Sequence, residues 1–206
     1  MSNWSIVYYD EGWAYMQKGI KKLLQGLPNP HFTSEDSLML YTNVYNMCRQ
    51  KPPHDYSKEL YEQYNETFKD YIKSTVLPSL REKKDELLLR DLLKRWSNHK
   101  IMIEYISFFF SDVDKKFTRI RQLPSLEKVG YLSFYSLVYD EMQRQVKNAI
   151  LAMIDRKRAG KSIDENLVTD VLTFYSEIGE KLEKDELKHF AQTIIKENAI
   201  MRAASN

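Results

Sequence analysis

Cysteine is nearly absent: Cys48 stands alone in 206 residues. One thiol excludes an intrachain disulfide and any zinc cluster built from the cysteines of one chain. It suits a reducing compartment, the cytosol or the nucleus. Glycine and proline are scarce, six of each, so few positions can break a helix. A large excess of charge of one sign is missing too. Thirty-one Lys and Arg against 29 Asp and Glu leave a net +2. A dedicated nucleic-acid binder would carry a basic face and a higher pI. No apolar run approaches the roughly 20 residues that a bilayer span needs, and the first ten residues lack the basic start and apolar stretch of a secretory signal. No nucleic acid and no membrane are therefore expected as partners.

Chemical motifs are equally thin. His31, His54, His99 and His189 show no metal-ligand spacing, and no HExxH, P-loop, GxSxG or GxGxxG pattern occurs. No catalytic residue, no metal and no cofactor is expected. His99 falls on an apolar stripe and reads as a hydrogen-bonded core histidine. Cys48 beside Met47 reads as a small buried residue, not a nucleophile. Asp85-Glu86 and Glu35-Asp36 sit at helix starts, where they complement the dipole. Lys21-Lys22 and Arg156-Lys157-Arg158 read as solvated faces.

What remains is helical periodicity. A first helix is expected over about Glu11–Gln25, closed by the stretch from Gly26 to Pro30. Thr33 and Asp36 form a capping box for a second helix over about Ser34–Arg49, ended by Pro52-Pro53. A third runs over about Ser57–Leu77, with Pro78 as a breaker or kink. Then Leu88, Leu92, Trp96, His99, Ile103, Ile106, Phe110, Val113 and Phe117 recur at steps of three and four until Pro124. One helix or two nearly collinear ones would carry that stripe. Ser125 caps a further helix to about Lys157, and Gly160 stops it. Ser162 and Glu165 suggest another capping box, for a helix ending at Gly179. A weaker pattern around Leu187, Phe190 and Ile194 closes the chain. The fold class is all-α.

The second helix carries an anomaly. At about 100° per residue, Leu38, Leu40, Tyr41, Val44, Tyr45, Met47 and Cys48 fill half its circumference. Thr42, Asn43, Asn46, Arg49 and Gln50 fill the other half, with Met39 a lone apolar exception. That arc is wider than one packing contact needs. It has two edges: Leu40, Val44 and Met47 on one, Leu38, Tyr41 and Tyr45 on the other. Either the helix is buried on two sides of its own bundle, or the tyrosine edge meets another protein.

Several stretches resemble the N-terminal region of plant cullins of the SCF ubiquitin-ligase type. They are EGWAYMQKGI from Glu11, LYTNVYNMCRQKPPHDYSKELYEQY from Leu40 to Tyr64, and YIKSTVLPSLREKKDELLLRDLLKRWSNHK from Tyr71 to Lys100. The similarity runs on through Tyr139 and Asp155-Arg156-Lys157 to Glu177-Ile178-Gly179 and fades after that. The resemblance implies a cullin-repeat helical bundle. Residues 1–123 would form the first five-helix repeat and 124–206 the opening helices of a second. The cullin C-terminal domain would be missing, and with it the RING-box protein. The resemblance also implies a partner, a Skp-family adaptor that carries an F-box protein. On it, Ser37, Leu38, Tyr41 and Tyr45 on the second helix, and Phe109 and Asp112 late in the repeat, would form the protein-binding site. Ser37 stands where the family has an aromatic residue, and Asp112 stands near another. A cullin-like chain that folds poorly and binds nothing, and an unrelated helical binding module, are the alternatives.

Overall fold

The computed structural model describes residues 6–204 as eight helices, with no strand among the described residues. We number them α1 (Tyr9–Gly26), α2 (Ser34–Arg49), α3 (residues 57–81), α4 (Asp85–Phe109), α5 (residues 111–121), α6 (residues 126–158), α7 (Glu165–Leu182) and α8 (Asp185–Ala204). No helix is long and apolar enough to cross a membrane, among the described residues.

The capping box forms as expected. Thr33 Oγ1 accepts from the Asp36 N–H at 3.0 Å, and the Asp36 carboxylate accepts from the Thr33 N–H at 3.2 Å. Pro78 does not end α3. The turn before it widens at Ile72–Val76, where the Leu77 N–H donates to the Ile72 carbonyl five residues back. Proline cannot donate to the carbonyl four residues earlier, and a π turn takes up that mismatch. The helix then continues to Arg81. The long apolar stripe belongs to two helices. Phe110, at φ −96° and ψ 11°, breaks it between α4 and α5.

Two expected boundaries are corrected. The α7 cap is Asp164, whose carboxylate accepts from the Leu167 N–H at 3.1 Å, and not a Ser162–Glu165 box. Gly179 does not end α7. It lies inside the helix, where the link to α8 passes so close that an added Cβ would sit 3.0 Å from the Lys184 carbonyl oxygen. The helix ends at Leu182, and Glu183 turns left-handed with φ 57°.

The chain divides into two compact units. The first comprises residues up to Phe68 together with Asn98–Gly130; the second comprises Lys69–Ser97 together with residues from Tyr131 onward. The second has an aromatic core, in which the Trp96 ring meets Phe134 at 5.1 Å and Phe174 at 5.2 Å. The Trp96 indole N–H donates to Glu177 at 2.9 Å. An Arg81–Glu141 ion pair and an Arg90–Asp164 ion pair lie at its surface.

The first unit buries Leu60, Tyr64, Phe68, Ile106, Phe109 and Phe110. Tyr64 carries its hydroxyl into this core and shares a 2.8 Å hydrogen bond with Ser107. His99 is fully buried, its ring edge-on to Phe68 at 5.1 Å and its Nε2 2.8 Å from the Gly130 carbonyl oxygen. A carbonyl only accepts, so Nε2 bears the proton. Burial pushes the His99 pKa down to about 4.

That shift has a sign. Below the ordinary histidine pKa of about 6.5 the unfolded chain binds a proton that the folded chain refuses. His99 therefore favours the fold above about 6.5, and this contribution is lost as pH falls toward about 4. Between pH 7.5 and pH 5 the loss should be about 2 kcal/mol. Urea unfolding at the two pH values should show it, and His99→Gln should remove that part of the slope. An equal slope in both proteins would contradict this reading.

Candidate functional site

The surface is built from α1 outward. Gly12 and Gly19 lie seven residues apart, two turns, on one face of α1. A Cβ at Gly12 would come within 2.4 Å of the Met47 sulfur, and one at Gly19 within 2.5 Å of a Leu40 methyl. The α2 side chains thus enter space that only glycine leaves open. Asn43 adds a 2.9 Å hydrogen bond from its amide to the Gly12 carbonyl. Lys22 pairs with Asp36 at 2.7 Å at the start of α2.

This docking separates the two edges of α2. Leu40, Val44, Met47 and Cys48 are buried. On the other edge Leu38 is 60% exposed, and Tyr41 and Tyr45 are half-buried. Burial of α2 on two sides of its own bundle is therefore set aside. Met39, the exception on the polar half, is also exposed, and Ser37 is half-buried in the first turn.

The exposed edge continues onto the end of α4. The Phe108 ring stacks on Tyr41 with centroids 5.9 Å apart and an interplanar angle of 30°. Tyr41 meets Tyr45 at 6.1 Å, and the Arg49 guanidinium lies 4.8 Å above Tyr45. Phe108 is 52% exposed. Leu38, Tyr41, Phe108 and Tyr45 thus form one contiguous apolar and aromatic patch, bounded by Arg49. Contiguous exposed apolar surface of this kind marks interaction sites.

Two expected contact residues do not reach this surface. Phe109 is fully buried, with its ring 5.6 Å from Phe32. Successive helical residues point about 100° apart, so the triplet Phe108-Phe109-Phe110 cannot share one face. The core takes Phe109 and Phe110, and Phe108 is left outside. The apolar triplet was the only signal for Phe108. Asp112 is buried as well, and its carboxylate accepts from Arg49 Nε at 2.8 Å and from a terminal guanidinium nitrogen at 3.4 Å. It fastens α5 to α2 from within.

The patch is apolar and aromatic in character. Cys48 lies beneath it, and burial pushes its thiol up to about 12, which keeps it un-ionised at neutral pH. No three side chains of metal-ligating type converge, among the described residues. The arrangement can bury apolar surface and orient a partner through its aromatic rings and the Arg49 charge.

Comparison with known proteins places these observations in a family. The family model described as the cullin alpha solenoid domain matches residues 13–199. The chain is 54% identical over 173 residues to Cullin-1 of Oryza sativa subsp. japonica, covering 82% of this chain and 23% of that protein. It is 46% identical over 188 residues to Putative cullin-like protein 2 of Arabidopsis thaliana, covering 87% of this chain and 50% of the relative. It is 36% identical over 196 residues to Cullin-like protein 3 of Arabidopsis thaliana, covering 94% of this chain and 75% of the relative. The chain thus spans 23% to 50% of the length of the first two of these relatives.

The Arg49–Asp112 pair gives a stability test. Arg49→Ala leaves a buried carboxylate without its guanidinium partner. Arg49 itself is half-exposed, with 50% of its side chain accessible, so the variant should be less stable than wild type, by less than breaking a fully buried pair would cost. Adding Asp112→Leu to Arg49→Ala should recover most of that loss. Chemical denaturation of both variants checks this. A double variant no more stable than Arg49→Ala would contradict the pairing.

Proposed function

The chain belongs to the cullin family, and on that premise we propose that it is a scaffold segment that holds a Skp-family adaptor. In this reading α1–α5 form the first cullin repeat, up to about residue 123, and α6–α8 open a second. The adaptor docks on the outward edge of α2 and on the end of α4, and it brings an F-box protein with it. Ser37, Leu38, Tyr41 and Tyr45 lie on the α2 side of the contact and Phe108 on the α4 side. Phe109 and Asp112 act from beneath, by holding these elements in place. These residues bind and carry out no catalysis, need no cofactor, and give the RING-box protein no docking place.

The observation that supports this reading most is the pairing of Tyr41 with Phe108 across two helices, with Leu38 exposed beside them. A monomer gains nothing from leaving these rings in water. Buried at an interface, each ring contributes the apolar area it still exposes, about half or less of the roughly 150 Å² or more of a whole aromatic side chain. The rings are also stacked before any partner arrives, so little rotamer freedom is lost on binding.

Two substitutions should move adaptor affinity in opposite directions. Tyr41→Ala removes the centre of the stack and should weaken binding by about 2 kcal/mol, near 30-fold. Ser37→Tyr adds a ring beside Leu38 and should strengthen it. Calorimetry with a purified Skp-type adaptor measures both, and in excess the wild-type chain should inhibit a complete ligase by occupying its adaptor. Unchanged affinity in Tyr41→Ala would remove the site assignment.

A further inference from the structure

A groove of about 540 Å³ opens beside Tyr45, at the C-terminal end of α2. Its apolar walls are Ile6, Tyr45 and Pro52, and Arg49 and Lys51 stand on its rim. Amides and one imidazole complete the lining, and no carboxylate lines it among the described residues. The groove is therefore apolar at its base and cationic at its edge.

Its walls are held by backbone hydrogen bonds to one side chain. The Gln50 amide oxygen accepts from the Val7 N–H at 2.7 Å, and its nitrogen donates to the Val7 carbonyl at 2.9 Å. The same nitrogen donates to the His54 carbonyl at 2.9 Å. Gln50 thus acts as a short piece of backbone that ties the segment before α1 to the α2–α3 link. Tyr8 packs edge-on against the His54 ring at 5.6 Å, and His54 Nδ1 lies 3.0 Å from the Tyr56 hydroxyl. Ile6 nevertheless stays 48% exposed, although Val7 beside it is held by Gln50. A groove built in advance with an open apolar wall is suited to receive something.

We propose that this groove is a second part of the adaptor-docking surface, and that it takes an apolar side chain flanked by carboxylates on the adaptor. The proposal rests on the adaptor reading given above. Tyr45 carries the argument, because it belongs both to the aromatic patch and to the groove wall, so one partner laid over the patch reaches the groove. The rim carries the charge argument. Arg49 is half-exposed but already paired with Asp112, so the uncompensated charge on the rim is that of the exposed Lys51, which no acidic side chain of the lining meets. An approaching carboxylate would therefore be attracted, and an approaching lysine repelled. The patch supplies contact area, and the groove adds register and charge selection.

The test uses the 206-residue chain and a purified Skp-type adaptor, with calorimetry at low and at high salt. Lys51→Glu should weaken binding roughly tenfold at low salt, and less at high salt, because exposed charges are screened. Ile6→Ser should weaken binding several-fold at both. Gln50→Ala should lower affinity by freeing the Ile6 wall. Lys18→Glu makes the same charge change on an exposed α1 position that does not line the groove, and it should bind as wild type does. Thermal melting of the Ile6 and Lys51 variants should stay at the wild-type value, since both side chains are exposed. Wild-type affinity in both Lys51→Glu and Ile6→Ser would overturn the groove while leaving the adaptor reading intact. Equal weakening by Lys18→Glu and Lys51→Glu would overturn it too, since overall charge alone would then act. A wild-type chain that does not bind the adaptor at all would overturn both.

Discussion

The outward face of α2 depends on how closely that helix lies against α1. Met47 and Leu40 occupy the space over Gly12 and Gly19, where a Cβ would fall within 2.4 Å and 2.5 Å of them. With those two side chains seated, the rotation of α2 about its axis is fixed, because helical residues keep a set angular spacing. Leu38, Tyr41 and Tyr45 must then point away. The Asn43 amide on the Gly12 carbonyl and the Lys22–Asp36 pair hold the same register with polar groups. Exposure of an apolar edge is thus the other side of a tight helix contact. Larger residues on α1 would push α2 outward and turn that edge.

From this constraint the rest of the patch follows. Tyr41, pointing out, finds Phe108 and stacks on it. Tyr45 lies beneath the Arg49 guanidinium, and Arg49 reaches inward to Asp112 at the start of α5. A charged residue on α2 is therefore tied to a buried carboxylate, and its remaining surface serves the rim of the groove. Asp112 stands near a position where the resemblance implies an aromatic, yet it is no vacancy in the surface. It has been used for an internal bond, and the neighbouring Phe108 supplies the ring that faces solvent.

Much of this was legible from residue spacing. The half-turn apolar arc of α2 announced two edges, and burial divides them where the angular count divided them. The Thr33–Asp36 box and the core role of His99 depend on local chemistry, and both appear as expected. Other features were not legible, for physical reasons. Three consecutive phenylalanines do not say which of them the core will take; that depends on the packing of Phe32 and Tyr64 around α4. The break at Phe110 leaves the apolar period nearly undisturbed, so no pattern reports it. A π turn before Pro78 lets a helix pass a residue that normally stops one. Ser162 and Asp164 both offer a capping oxygen in the sequence, and it is Asp164 that caps α7. Gly179 looked like a terminator and is a point of close approach.

If a Skp-type adaptor docks as proposed, it lies on the outward edge of α2 and the end of α4. Hydroxyl-radical footprinting of the chain, alone and with a Skp-type adaptor, reads side-chain exposure directly. Leu38, Met39 and Phe108 start 60%, 51% and 52% exposed, and Leu87 and Ile120 start 66% and 75% exposed, so all five are reactive in the free chain. The account predicts that the adaptor protects Leu38, Tyr41 and Phe108 and leaves Leu87 and Ile120 oxidised as before. Protection of Leu87 or Ile120, with Leu38 and Phe108 unchanged in the bound complex, would contradict it.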